Sequence, residues 1–278
     1  PHALHEPERD RRGCGCGHDP DRSVRPGLGE AMTEQERSLE HAGGQQTDGL
    51  GQALKAWFAS PPRAHGEVLE GRVVSFLELF YDLVFVVLIA QISHTLAGDV
   101  TWVGFRNFAI VFALIWTAWL NGSLYHELHG REDGRGRTSI FAQMGLLVLL
   151  SVYAAHAADD PAEGRGFAIV YSILLTFIAV QWFGLRKYDT AEMAALTTRY
   201  VAGMVVTTGL IVASIFVDDP DTRLVIWAVA VALTIASSLV QVFRRDPMFE
   251  EAFQVTESMA ERFGLFTIIV LGEVVVGV

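Results

Sequence analysis

Beyond about residue 73 the chain alternates long apolar runs with short polar breaks. Seven runs can be marked: Phe76 to Ala97, Trp102 to Leu124, Ile140 to Ala158, Phe167 to Leu185, Tyr200 to Val217, Leu224 to Phe243 and Phe263 to Val278. A helix needs about 20 residues to cross the hydrocarbon of a bilayer. The first six runs therefore predict complete membrane spans. The last is still apolar at Val278 and predicts a truncated seventh, because a helix ending in lipid leaves its final carbonyls unsatisfied. The expected fold is all-α: a polytopic transmembrane helix bundle over residues 73–278, C-terminally truncated.

The upstream segment has a different character. Residues 1–31 are rich in Arg, Gly, Pro and Asp with no apolar periodicity, so residues 1–72 are expected to form a disordered N-terminal segment. Met32 is the expected natural start. Cys14 and Cys16 are the two cysteines, one residue apart with His18 nearby; they predict neither a disulfide framework nor a metal site, since a fourth ligand is missing. The first apolar run is too long for a secretory signal and lacks a cleavage site.

Charge adds topology. The breaks after the second, fourth and sixth runs hold nine basic residues: Arg131, Arg135, Arg137, Arg186, Lys187, Arg199, Arg244, Arg245 and Arg262. Those after the first, third and fifth hold three, Arg106, Arg165 and Arg223, beside acids such as Asp99, Asp159, Asp160, Asp218, Asp219 and Asp221. By the positive-inside rule the N-terminus is expected in the cytoplasm of a cell whose inner membrane holds the bundle. The net charge of -11 argues against a generally basic nucleic-acid binder and leaves the lipid bilayer, and a second copy in a homo-oligomer, as the expected partners.

The first run raises the chemical question. It reads FLELFYDLVFVVLIAQISH, with Glu78 and Asp82 on one face shared with Ser93 and with Gln91 and His94 on another. Asp82 lies roughly 9–10 Å into the span, where a lone carboxylate costs about 2.5–3.5 kcal/mol. The seventh run enters the same way, so Glu261 and Arg262 come to the depth of Glu78 and Asp82, and Arg262 is the expected partner of Asp82. Glu273, eleven residues beyond Arg262, falls near mid-membrane with no basic residue close in its own helix. Asp82, Glu273, Glu78 and His94 are therefore candidates for proton or ion coupling, and Asp82, Arg262 and Glu261 for an intramembrane ion pair. Plain structural roles stand beside these: an interfacial Glu78, a helix lock at Asp82 and Arg262. The tetrad HELH at 126–129 lacks the spacing of a zinc helix and reads as a cytoplasmic helix end. There is no P-loop, dinucleotide turn or nucleophile elbow, so neither an enzyme nor a cofactor is expected.

The segments LELFYDLVFVVLIAQISH and ERFGLFTIIVLGE, with YHELHGREDGRGR and QMGLL between them, resemble the bacterial low temperature requirement A (LtrA) family. The resemblance covers residues 73–278, about the first two thirds of a family member. It places motif positions at Glu78, Leu79, Phe80, Asp82, Phe85, Glu261, Arg262, Phe263, Gly272 and Glu273. Ser258 stands where relatives often carry His. The resemblance implies a polytopic bacterial membrane protein named for a cold-growth phenotype, and it supplies no mechanism or substrate. Two functions are therefore expected in parallel. One is an ion- or proton-coupled transporter or channel using the intramembrane carboxylates. The other is a non-transporting protein supporting envelope adaptation or growth in the cold.

Overall fold

A computed structural model describes residues 75–130, 133–244 and 257–277. The expectations for residues 1–72, including Cys14, Cys16, His18 and Met32, and the basic residues Arg131 and Arg245, lie outside the described residues. Among those described there are seven helices and no strand: α1 (Phe76–Gly98), α2 (Trp102–His129), α3 (Gly134–Ala154), α4 (Pro161–Leu185), α5 (Ala191–Ser214), α6 (Pro220–Arg244) and α7 (Glu257–Gly277). The first six are long and apolar enough to cross a membrane.

Several helices start well before the apolar runs that predict them. α3 begins at Gly134, α4 at Pro161 and α5 at Ala191, against Ile140, Phe167 and Tyr200. Polar caps are the reason. Asp133 accepts from the Gly136 N–H at 2.7 Å, Asp160 from Ala162 and Glu163 at 2.7 and 2.9 Å, and Thr190 from Met193 at 3.4 Å. Such a cap satisfies N–H groups left over by the first turn and is worth about 1 kcal/mol. Pro161 and Pro220 occupy first-turn positions, where a missing N–H costs nothing. The hydrophobic pattern marks where lipid begins, whereas the caps mark where the helix begins.

The two donors at Asp160, Glu163 first and then Ala162, hold its carboxyl below the usual carboxylate range. An acid with a lowered folded pKa adds stability above its unfolded value of about 3.9 and loses it as pH falls through the folded value. The amide resonances of Ala162 and Glu163 are therefore expected to stay constant from neutral pH down to about 4 and to shift together below it. A transition near pH 6 would contradict this cap.

α1 packs against α2, α3 and α7; α4 lies between α3 and α5; α5 packs on α6; and α2 also touches α4 and α6. α4 also touches α6 and has the most neighbours, while α2 stands as a pillar between α1, α4 and α6. The core is apolar and aromatic, with Trp119, Trp182, Trp227, Tyr81, Tyr171 and Phe85 almost fully enclosed. Two of the buried aromatic tips are bonded within the bundle, as a medium without water favours: Tyr171 donates to the Leu114 carbonyl at 2.7 Å and Trp227 to Ser214 at 2.8 Å. Large apolar side chains such as Phe76, Val87, Phe141, Val180 and Val225 point outward instead, the arrangement expected of helices solvated by lipid.

The end of the bundle holding the 99–101, 155–160 and 215–219 connections is tied by charge. Arg106 pairs with Asp221 at 2.8 Å, Arg165 pairs with Asp218, and Asn107 donates to Asp159 at 2.6 Å. Arg223 is buried and donates to the carbonyls of Pro161 at 3.0 Å and Val217 at 2.6 Å. It comes close to α4 only because residue 164 is glycine: a Cβ there would meet Arg223 Nη1 at 2.2 Å. The sparse basic residues of these breaks are thus used as ties.

Candidate functional site

The first and last helices meet through a charge pair. The Arg262 guanidinium donates from Nε to Asp82 Oδ2 at 3.0 Å and from Nη2 to Asp82 Oδ1 at 2.9 Å. This is the bidentate geometry that suits a planar guanidinium and a carboxylate. The Arg262 side chain is 0% exposed and that of Asp82 13%. Trp119 of α2 donates its indole N–H to Asp82 Oδ1 at 2.8 Å, and Ser123, one turn further along α2, accepts from Arg262 Nη2 at 3.3 Å. Three helices therefore share one hydrogen-bonded unit.

Aromatic rings close it off. Phe266 stacks on Trp119 with centroids 4.1 Å apart and planes 9° from parallel, and Phe263 meets the same indole edge-on at 4.9 Å. Trp116 touches both phenylalanines. Arg262 and Phe266 lie one helical turn apart on one side of α7, and Phe263 flanks them. The segment ERFGLF thus carries the cation and the rings that exclude water from it.

Further titratable groups surround the pair. Glu78, His126, Glu127 and His129 are 6%, 2%, 4% and 1% exposed. The carboxylates of Glu78 and Glu127 lie within electrostatic reach of the Arg262 guanidinium, which leaves its Nη1 without a hydrogen-bond partner among the described residues. Beside them runs a polar chain: Tyr81 donates to Gln143 Oε1 at 2.8 Å, and Gln143 Nε2 lies 3.0 Å from His126 Nε2. Among the described residues no group of three or more His, Cys, Asp or Glu is arranged to hold a metal ion.

Gly122 makes room for this chain, since a Cβ there would sit 2.2 Å from the Tyr81 hydroxyl and 3.0 Å from Gln143 Oε1. Gly122→Ala is accordingly expected to cost about 1–3 kcal/mol as an overpacking change, read as a lower midpoint in detergent unfolding. Gly145→Ala, where a Cβ meets nothing within 4 Å, serves as the control. Equal behaviour of the two variants would mean that the Tyr81 hydroxyl has another place to go.

The residues singled out from sequence separate clearly. Asp82 and Arg262 are brought together, and Glu78 is buried near them. Glu261 is not part of the pair: it is exposed, because its neighbour faces α1 and successive helical positions diverge by about 100°. His94 is exposed at the far end of α1, where it lines a lateral opening with Gln91 and His156. Glu273 is half-buried on α7, eleven residues beyond Arg262, and makes no hydrogen bond to a described residue. The HELH tetrad does end α2, but not in solvent: His126, Glu127 and His129 are enclosed. Its burial was missed because helix-end composition says nothing of what packs over the end. A signal was present in the length of α2, 28 residues from Trp102 to His129, longer than a bilayer needs.

Comparison with known proteins follows the same geography. The family described as bacterial low temperature requirement A protein (LtrA) matches residues 73–278, from just before α1 to beyond α7. An uncharacterized protein of Rhizobium meliloti (strain 1021) is 28% identical over 214 residues, 72% of this chain and 49% of that protein. The chain thus spans about half the length of this curated relative, less than the two thirds expected from the resemblance. No solved structure matches. With both charged signature segments inside the matched region and meeting at one buried site, the chain belongs to the bacterial low temperature requirement A family.

Proposed function

We propose that this protein is a proton- or ion-coupled transporter or channel of the inner membrane, in which Arg262 is a buried cation that exchanges carboxylate partners. One observation carries the reading. A fully enclosed guanidinium spends Nε and Nη2 on Asp82 while Nη1 stays unbonded among the described residues, and Glu78 and Glu127 lie within its electrostatic reach. A pair built only as a lock needs one carboxylate per guanidinium. Extra ionisable groups inside a membrane bundle are costly and mark ion or proton pathways. Protonation of one carboxylate weakens its hold and favours the other, which gives a two-state element driven by a proton.

In this reading the N-terminus is cytoplasmic, as the basic residues beside α3, α5 and α7 favour, and α7 crosses the membrane as a seventh span despite Glu261, Arg262 and Glu273. The Asp82 and Arg262 pair then sits in the cytoplasmic half as a closed gate. Glu273 is a second proton- or ion-coupling candidate, eleven residues further along α7.

A second reading, a non-transporting membrane protein, is favoured by the closed packing at the pair, where Phe263 and Phe266 lie against Trp119 and the Arg262 side chain is 0% exposed. A wet path is required for transport and not for a helix lock. The full-length protein in liposomes, with a pH-sensitive dye inside and a potassium diffusion potential imposed, distinguishes the two. Transport predicts acidification or alkalinisation above protein-free vesicles. Silence toward protons and a panel of inorganic ions would favour the lock. Glu273→Gln keeps the shape of a protonated acid and is expected to leave the melting temperature near wild type while reducing that flux.

A further inference from the structure

A groove of about 450 Å³ runs between the middle of α5 and the last half of α6, with α2 as its floor. Its size falls in the roughly 300–1,000 Å³ range of small-molecule sites. On α5 it extends from Arg199 to Thr207 and on α6 from Leu233 to Leu239. Its rim is apolar and outward-facing: Val206, Leu233, Ile235 and Leu239 are all exposed. In a bundle solvated by lipid such an opening faces acyl chains, not water.

The polar groups within the groove are already bonded. Thr117 donates to the Ala113 carbonyl at 2.7 Å, Asn121 to the Thr117 carbonyl at 2.7 Å, Tyr200 to Asn121 Oδ1, and Thr207 and Thr234 share a bond of 2.9 Å. These groups need neither water nor a polar ligand, and a hydrocarbon chain can lie over them. Depth is available as well, because a Cβ at Gly203 would meet nothing within 4 Å.

At the mouth stands Arg199, exposed and without an ion pair among the described residues. It lies at the bundle end that also carries Arg186 and Lys187. A cation placed over an apolar slot, at the basic end of a membrane bundle, matches a molecule with an anionic head and a hydrocarbon tail. We propose that this groove is a binding site for an anionic phospholipid, with the phosphate on Arg199 and one acyl chain between α5 and α6. Basic pockets between membrane helices on the basic side bind anionic head groups in this way. The site is separate from the Asp82 and Arg262 pair, so its test does not depend on transport.

The experiment is native mass spectrometry of the full-length protein released from detergent, loaded with phosphatidylglycerol or with phosphatidylcholine of identical chains. Wild type is expected to retain phosphatidylglycerol about fivefold better, the effect of one basic residue near a charged head group. Arg199→Gln is expected to abolish the preference, and Arg199→Lys to keep part of it. Gly203→Leu fills the groove without touching the cation and is expected to reduce retention of both lipids. Equal retention of the two lipids by wild type, a preference that survives Arg199→Gln, or full retention by Gly203→Leu would each overturn the proposal. Unchanged melting temperatures confirm that the variants fold.

Discussion

Replacing Arg262 with leucine is expected to lower the stability of the bundle by about 3–5 kcal/mol, the cost of breaking a buried pair from one side. The geometry explains the size. Asp82 accepts three hydrogen bonds, two from the guanidinium and one from Trp119. Without Arg262 the carboxylate keeps only the indole N–H, in a site closed by Phe263 and Phe266. Asp82→Asn alone removes the bidentate acceptor but leaves Glu78 and Glu127 within reach of the guanidinium, so it is expected to cost less than Arg262→Leu. The double change Asp82→Asn with Arg262→Leu removes both charges and is expected to recover much of the loss, because the pair's own net contribution is small once desolvation of both ions is counted. Unfolding by a denaturing detergent, followed by tryptophan fluorescence, provides the readout. Losses that simply add would show that the two residues do not meet.

A second large effect is expected on flux. Glu78→Gln and Glu127→Gln remove the carboxylates proposed to compete for Arg262 while preserving side-chain shape. Each is expected to lower dye-reported proton flux about tenfold or more, the consequence of losing about 1.4 kcal/mol or more of driving force for partner exchange. Neither should change Asp82's bonds, so the melting temperature is expected to stay within a few degrees of wild type. A fall in flux matched by a fall in folded protein would assign both residues to structure alone.

Different layers of this molecule were legible in the sequence to different degrees. The apolar runs marked the seven helices among the described residues, six of them long and apolar enough to cross a membrane, because lipid demands an uninterrupted apolar length. Their starts were misplaced where Asp133, Asp160 and Thr190 cap polar first turns, which hydropathy cannot register. The Asp82 and Arg262 pair could be read because the two runs enter the bundle in the same sense, leaving one guanidinium at the carboxylate's depth. Sequence adjacency made Glu261 look equivalent to Arg262, although the helix turns it away.

The rest of the site depends on α2, and sequence gave no reason to bring that helix there. Trp119 and Ser123 look like ordinary residues of an apolar run until α1 and α7 pack on the same pillar. His126 is covered by Tyr81 of α1 and Gln143 of α3, and His129 by Trp182 of α4. Tyr81 and Gln143, 62 positions apart, form a bond that only the contact of α1 with α3 creates. Contacts between distant helices follow from side-chain shape across many positions at once, and a glycine such as Gly122 acquires its meaning only when Tyr81 is laid over it.

Exchange of carboxylate partners by Arg262 is most directly tested by infrared difference spectroscopy of the full-length protein in lipid, recorded as pH is lowered. The carbonyl stretch of a protonated, buried carboxylic acid is expected to appear, to vanish in Glu127→Gln or Glu78→Gln, and to be accompanied by a shift in the guanidinium bands that Arg262→Lys abolishes. A spectrum in which no buried carboxyl takes up a proton between pH 8 and pH 5, with the guanidinium bands unchanged, would contradict partner exchange and leave Asp82 and Arg262 as a static lock.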